Sequence, residues 1–307
     1  MDSNINQAIL KTLIYHDLFD YPLTAMELWK LLIWENNDVP SRDSFSKALL
    51  QRAGFDHKRG YYFLNGREDI IYKRIARHYE SKRKNFNVKK IASFLKFIPT
   101  IKFLGISGSL SMNNSNIEDD IDLFVIARKN TLWITRFFTT LLVFVLGKKR
   151  GLKTHKIKDK ICLNMFVSED NLSFDQNLFI AHEIVQLKPL ISRGTVYEDF
   201  LHENMWLNNF LPNVSRDHLR EKKRQTVTFI EKFIKGIDVV FFTPQYLYMK
   251  SKITRERIEK NRAEFHPRDT AFYVLSFYRA RCASLIKGYG LKNSAFPAEN
   301  SFVNELN

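Results

Sequence analysis

Cysteine is scarce in this chain, with only Cys162 and Cys282 among its 307 residues. One falls in a strand-like and the other in a helix-like apolar pattern, so two buried free thiols are expected rather than a disulfide or a metal site. No Cys/His cluster has zinc spacing, and there is no Walker loop, Gly-x-Ser-x-Gly elbow or dinucleotide fingerprint. Those absences leave structural zinc modules, P-loop NTPases, α/β-hydrolases and Rossmann dehydrogenases without support. Long apolar runs are missing too. The most apolar stretch, 137–146, is much shorter than the ~20 residues that span a bilayer. With Arg136 before it and Lys148, Lys149 and Arg150 after it, this stretch suits a helix buried against a sheet. The N-terminal residues lack a basic region followed by an apolar core, so no signal peptide is expected. The expectation is a cytoplasmic protein with no membrane partner.

Acidic residues are in the minority. Against 33 Asp and Glu stand 48 Lys and Arg, a formal net charge of +15. Basic surfaces attract NTPs and phosphate polymers alike. Here the basic residues are dispersed, and runs such as 148–150 and 220–224 read as solvated helix ends or faces. Charge alone favours an anionic partner only modestly.

The chemistry-bearing feature is the segment 104–126, which joins a small-residue turn to two alternating aspartates at the mouth of an apolar strand. A strand over 103–106 running into Ser107, Gly108 and Ser109 lets backbone N–H groups approach an anion, because Gly108 has no Cβ. Ser109 adds a hydroxyl donor, and Ser107 and Ser111 are weaker candidates for the same task. Asp120 and Asp122, two apart on a strand, project from one face, while Ile121, Phe124 and Ile126 occupy positions that can be buried. Paired carboxylates on one face hold hard divalent cations.

Gly108-Ser109, ten intervening positions, then Asp120-Ile121-Asp122-Leu123 resembles the pattern of the DNA polymerase β nucleotidyltransferase superfamily. The resemblance covers only residues 101–167. It implies transfer of a nucleoside monophosphate from an NTP to an acceptor with pyrophosphate leaving, dependent on Mg²⁺ or Mn²⁺. It also implies that Asp120 and Asp122 are the catalytic metal ligands and that Ser107, Gly108 and Ser109 bind the nucleotide's phosphates. The superfamily adds a third carboxylate on a neighbouring strand, and its position here is Asn164. An amide offers one neutral oxygen and cannot act as a base near neutral pH. Asp159, Glu169 and Asp170 at the ends of that strand are the acids near enough in sequence to substitute. Three outcomes stay open: a slow two-carboxylate enzyme, an enzyme that borrows another acid, or a domain that binds nucleotide without chemistry.

Around this core the apolar spacing, together with the resemblance, implies an α+β layout: a small mixed-sheet nucleotidyltransferase core (98–170) between an N-terminal winged-helix-like domain (1–66) and a C-terminal helical domain (171–291). Helical spacing over 5–17, 24–33 and 43–52 is followed by a hairpin whose turn reads as 54–60 and whose returning strand reads as 61–64, a series that resembles a winged helix. In that fold Arg42, Lys47 and Arg52 on the third helix, with Lys58 and Arg59 on the wing, give a possible DNA contact through residues 42–59. A charge-rich helical connector occupies 67–97, with Ile70, Ile71, Ile75 and Ala76 on one face. Beyond Val167 the spacing is helical over 177–187, 196–207, 216–234, 239–249 and 270–287, and 292–307 is a polar tail.

Within the helical part His182 reads as a satisfied core or surface histidine and Asp269 as a helix cap. Glu183, Lys188 and Arg193 follow the last core strand closely enough to line the cleft, the two cations as triphosphate contacts. Arg128, Lys129 and Arg136 also lie near the metal strand in sequence. Two functions follow: an NTP-dependent nucleotidyltransferase whose acceptor is a small molecule, protein or RNA, or a winged-helix DNA-binding regulator whose nucleotidyltransferase-like domain is a catalytically weak nucleotide sensor.

Overall fold

Thr24 and Glu27 set the first clear helix boundary in the computed structural model, which describes residues 2–34, 41–52, 54–150, 157–214, 229–250, 257–264 and 270–288. The Thr24 hydroxyl accepts from the Glu27 backbone N–H while the Glu27 carboxylate accepts from the Thr24 N–H at 2.9 Å, a reciprocal cap that starts α2 (Ala25–Lys30). Before it runs α1 (Asp2–Asp17) and after it α3 (Arg42–Gln51), capped by the Ser41 hydroxyl. The hairpin β1 (Phe55–Lys58) and β2 (Tyr61–Leu64) turns at Arg59 and Gly60, both with positive φ, the geometry of a two-residue turn matched to strand twist. Residues 55–58, read from sequence as part of the turn, are a strand paired with β2; Phe55-Asp-His-Lys lacks the apolar alternation that marks a strand in sequence. Leu23 adds a bridge to Tyr62.

The connector is α4 (Asp69–Leu95), 27 residues long. It delivers the chain to β3 (Ile101–Ile106), the short helical turn α5 (Gly108–Ser111), β4 (Ile121–Ala127), α6 (Leu132–Val145) and β5 (Ile161–Ser168). Strands β3 and β4 are antiparallel, and β4 and β5 parallel across the α6 crossover. Every β4 residue except Asp122 is buried, as expected of a strand covered on both faces. Ile121, Leu123, Val125 and Ala127 face one apolar cluster with Val88, Leu95 and Trp133, whereas Phe124 and Ile126 face another with Phe103, Val167 and Phe200.

Beyond Val167 the structure departs from the all-helical expectation. Helices α7 (Leu178–Gln186), α8 (Val196–Glu203), α9 (Phe229–Lys250) and α10 (Thr270–Gly288) are present, but β6 (Lys188–Ser192), β7 (Arg257–Ile258) and β8 (Arg262–Glu264) interleave with them. They complete a six-stranded mixed sheet of order β6-β3-β4-β5-β8-β7. These segments are too short for alternation to register, and Pro189 is tolerated because β6 is an edge strand. The segments read separately as 216–234 and 239–249 meet in α9 from 229 onward; 216–228 lies outside the described residues, as do Asp269, the run 220–224 and the tail.

The N-terminal unit is not set apart from the C-terminal helices. Tyr15 of α1 stacks on His182 of α7 at 4.1 Å between ring centroids and meets Tyr278 of α10 edge-on. Arg281 pairs with the buried Asp17 at 2.5 Å, and the Trp34 N–H donates to the Phe210 carbonyl at 3.1 Å. One apolar cluster therefore runs from α1 to α10. Among the described residues no helix is long and apolar enough to cross a membrane.

Candidate functional site

Strand alternation aims Asp122 to the same side as Phe124, at the end of β4 where Asp120 precedes it. Across the parallel pair, Asp122 is the Cα partner of Cys162. The register then slips by one residue, since Phe124 pairs with Met165, so β5 carries an extra residue between them. Such a bulge re-aims side chains. Here Asn164 donates from Nδ2 to Asp122 Oδ1 and accepts at Oδ1 from the Cys162 thiol.

The turn before α5 closes on this strand. Gly108 has φ +61°, and a Cβ built there would lie 2.5 Å from Asp122 Oδ2. Glycine is required twice over, for the backbone conformation and for the approach of the carboxylate. The Ser109 hydroxyl donates to Asp119 Oδ2 at 3.2 Å, and the Ser111 hydroxyl to the Gly108 carbonyl at 2.7 Å. The Ser107 N–H donates to the Asp122 carbonyl at 3.0 Å, and the Ser107 hydroxyl makes no capping bond to α5.

Charge at the site is concentrated. Burial, then Asp120 and Glu183, push the Asp122 carboxyl up to about 7, with Arg150 pulling the other way. Glu183 on α7 is also raised to about 7 by burial, offset in part by the Gly108 backbone N–H. Burial first, then Asp122 and Asp120, push the Cys162 thiol up to about 12. Arg150 Nη1 donates to Asp120 Oδ2 at 2.5 Å and to Cys162 Sγ at 3.5 Å. Lys188 at the start of β6 faces Ile106 across the sheet, next to the turn. Burial lowers its ammonium to about 8; it donates to Asn113 Oδ1 at 2.7 Å, with no carboxylate partner among the described residues.

No family model matches the chain, and neither a curated protein nor a solved structure matches it. The chemistry of the site rests on its own donor set. Asp120, Asp122 and Cys162 can each offer a ligand atom, all within 4.8 Å of one another. The two carboxylates suit any divalent ion. The third donor is a thiol, whereas Mg²⁺ takes oxygen ligands in near-octahedral geometry, so the fit to Mg²⁺ stops at the two aspartates. Cys162, expected to be a buried structural thiol, is half-buried and belongs to this cluster, while Cys282 is buried as expected; neither is in a disulfide. Its position two residues before Asn164, on the same strand face, was the available signal.

Other sequence candidates lie elsewhere. Arg193 donates to the Ile98 and Ile101 carbonyls at 3.0 Å each, a backbone tie rather than a triphosphate contact. Arg136 bonds Gln245 of α9 at 2.6 Å. Asp159 pairs with Arg83 at 2.7 Å, and Glu169 accepts from the Lys129 N–H at 3.0 Å. Asp170 lines a separate hollow with Trp133 and Asp238, beside the far end of β5. His182 is a core residue, its Nδ1 against the Leu178 carbonyl at 2.9 Å.

Sequence reasoning missed Lys84. Its side chain on α4 is fully buried, and its ammonium donates to the Ser115 hydroxyl at 3.1 Å and to the Asn116 and Asp119 carbonyls at 2.5 and 2.6 Å. The Ser115 N–H donates to the Ser81 hydroxyl at 3.0 Å, and Arg77 reaches Asn116 at 2.8 Å. The loop that feeds Asp120 is thus clamped to α4. The spacing Ser81, Lys84, Val88, Ile91, Leu95 put a lysine on a buried stripe that is apolar from Val88 onward, which was the legible sign; Ala76, assigned to the inner face, is exposed.

Proposed function

We propose that the chain is a metal-dependent nucleotidyltransferase that moves a nucleoside monophosphate from an NTP to an acceptor, releasing pyrophosphate. The observation that carries this reading is the contact between the Gly108 turn and Asp122, which sets the small-residue turn directly against a pair of carboxylates. Asp120 and Asp122 hold the divalent cation. When bound, the cation supplies charge neutralisation at the transferring phosphoryl group. The chain's own part is positioning: the N-terminal turn of α5 and the Lys188 ammonium bind phosphate oxygens, and Asn164 fixes the Asp122 rotamer. Glu183 is the nearby acid that sequence placed at the cleft, and its raised affinity for protons suits it to take one from an acceptor.

Equilibrium binding of a labelled NTP tests the reading. Binding should require a divalent ion, and Lys188→Ala should weaken it about tenfold, the worth of one charge-assisted hydrogen bond. Binding that ignores both metal and Lys188 contradicts the assignment.

A second reading, a winged-helix DNA-binding regulator, draws support from the order of α1, α2, α3 and the hairpin, and from exposed Arg42, Lys47 and Arg52. It ranks second because the wing's cations are engaged internally: Lys58 pairs with Glu68 at 2.5 Å, and Arg59 lies over the Tyr72 ring at 5.2 Å. It requires salt-sensitive duplex binding lost on replacing Arg52 and Lys58.

A further inference from the structure

Asp122 and Cys162 sit opposite each other on neighbouring parallel strands, and Asp120 completes a triangle of ligand atoms within 4.8 Å. We propose that Cys162 Sγ is the third ligand of this centre, so that the site takes a borderline, thiophilic divalent cation such as Zn²⁺ or Co²⁺ in preference to Mg²⁺. The inference rests on the nucleotidyltransferase reading for the two aspartates and departs from it in the metal.

Three observations converge. The donor set is two carboxylates and one sulfur. Zn²⁺ accepts Cys sulfur and Asp oxygen together in a tetrahedral shell, and three protein ligands leave a fourth position for a substrate oxygen. Sulfur selects the softer divalent ions, while carboxylate and water suit Mg²⁺. Independently of the ligand triangle, one cationic group already spans two of its corners, for Arg150 Nη1 bonds both Asp120 Oδ2 and Cys162 Sγ. The pair therefore presents its lone pairs to a positive charge rather than to the apolar core. Finally, Asn164 is arranged as an outer partner. It donates to Asp122 and accepts from the Cys162 thiol, so replacing the thiol proton by a metal leaves the Asp122 bond intact and frees only the amide oxygen. Outer partners of this kind orient ligands. On binding, the Cys162 S–H bond breaks, the sulfur forms the metal bond and the proton passes to solvent, as a coordinating thiol is deprotonated outright. The amide at 164 thus stands where a third carboxylate is unnecessary, because the thiolate supplies the charge.

Cobalt reads this directly. Titrating the full chain with Co²⁺ should produce a thiolate-to-cobalt charge-transfer band in the near ultraviolet. Cys162→Ser should abolish the band and weaken Co²⁺ binding by about tenfold or more, while Cys282→Ser, which alters a buried thiol outside the triangle, should leave both unchanged. A large excess of Mg²⁺ should fail to displace the ion. Far-ultraviolet circular dichroism confirms that each variant is folded. Co²⁺ binding without the band, equal binding by Cys162→Ser, displacement by Mg²⁺, or no binding to the folded chain would each overturn the proposal. The two readings fail separately: Mg²⁺-supported NTP binding with no cobalt band removes the thiolate and keeps the transferase, whereas the band without NTP binding does the reverse.

Discussion

Gly108 and Asp122 are in contact so close that a single methyl group at residue 108 would lie 2.5 Å from the Asp122 carboxylate oxygen. The turn and the acid pair are one unit, and substitution at either should disturb the other.

Gly108→Ala meets both a positive φ and the carboxylate. The left-handed conformation alone costs a residue with a Cβ roughly 1–2 kcal/mol, and displacing Asp122 adds to it. The expected result in urea unfolding is a loss of about that size or more, together with loss of metal-dependent NTP binding. Unchanged stability and binding would separate the turn from the site.

Lys84→Met removes a buried ammonium and leaves the Asn116 and Asp119 carbonyls without their donor. Both carbonyls are only part-buried, so each stranded acceptor costs about 1–2 kcal/mol, the lower part of the range for buried groups, and a loss of about 2–4 kcal/mol is expected. Lys84→Arg keeps charge but not shape. A Lys84→Met chain that stays folded should show weaker metal binding, because the loop that presents Asp120 has lost its clamp.

Arg150 competes with any metal for Asp120 and Cys162. Arg150→Ala should tighten divalent-ion binding several-fold in calorimetry, with little effect on folding because Arg150 is an exposed residue. Weaker binding in that variant would mean the guanidinium helps to hold the bound state.

The buried pair His16 and His182 makes an acid-sensitive core. Burial lowers them to about 4 and about 3 from 6.5. Between those values and 6.5 the unfolded chain binds more protons, so their contribution is complete above pH 6.5 and is lost as pH falls through that window. Tyr15 stacks on His182 and His16 meets it edge-on, with Tyr278 against Tyr15 and with Arg74 and Glu27 acting on His16. Asp122 and Glu183, raised to about 7, act in the opposite sense, because the folded chain keeps their protons. The difference between wild type and His182→Phe isolates the imidazole. The variant should gain stability relative to wild type as pH falls from 6.5 to 4, by up to ~1.4 kcal/mol per pH unit; a flat difference would contradict the buried neutral ring.

Gly108, Asp120 and Asp122 were legible because their spacing is local and each flanks an apolar strand. Asn164 was legible for the same reason, lying on the next strand-like run. Cys162 was read as structural, since its place two residues before Asn164 is a weak sign by itself and its role arises only when β5 pairs with β4 in parallel. The helices α1, α3, α4 and α6 followed their apolar period within a few residues. Strands β6 and β8 did not, because runs of five and three residues are too short for alternation to register, and their pairing partners β3 and β5 are remote in sequence. Nor could spacing show that α1 packs on α7 and α10.

Pyrophosphate release tests the central claim most directly. The purified chain, given each NTP with Mg²⁺, Mn²⁺ or Co²⁺ and a cell extract as source of acceptor, should release pyrophosphate in step with labelling of the acceptor from the α-phosphate. Asp120→Asn combined with Asp122→Asn should abolish both. Release that persists in the double variant, or labelling that comes from the γ-phosphate, would contradict nucleotidyl transfer at this site.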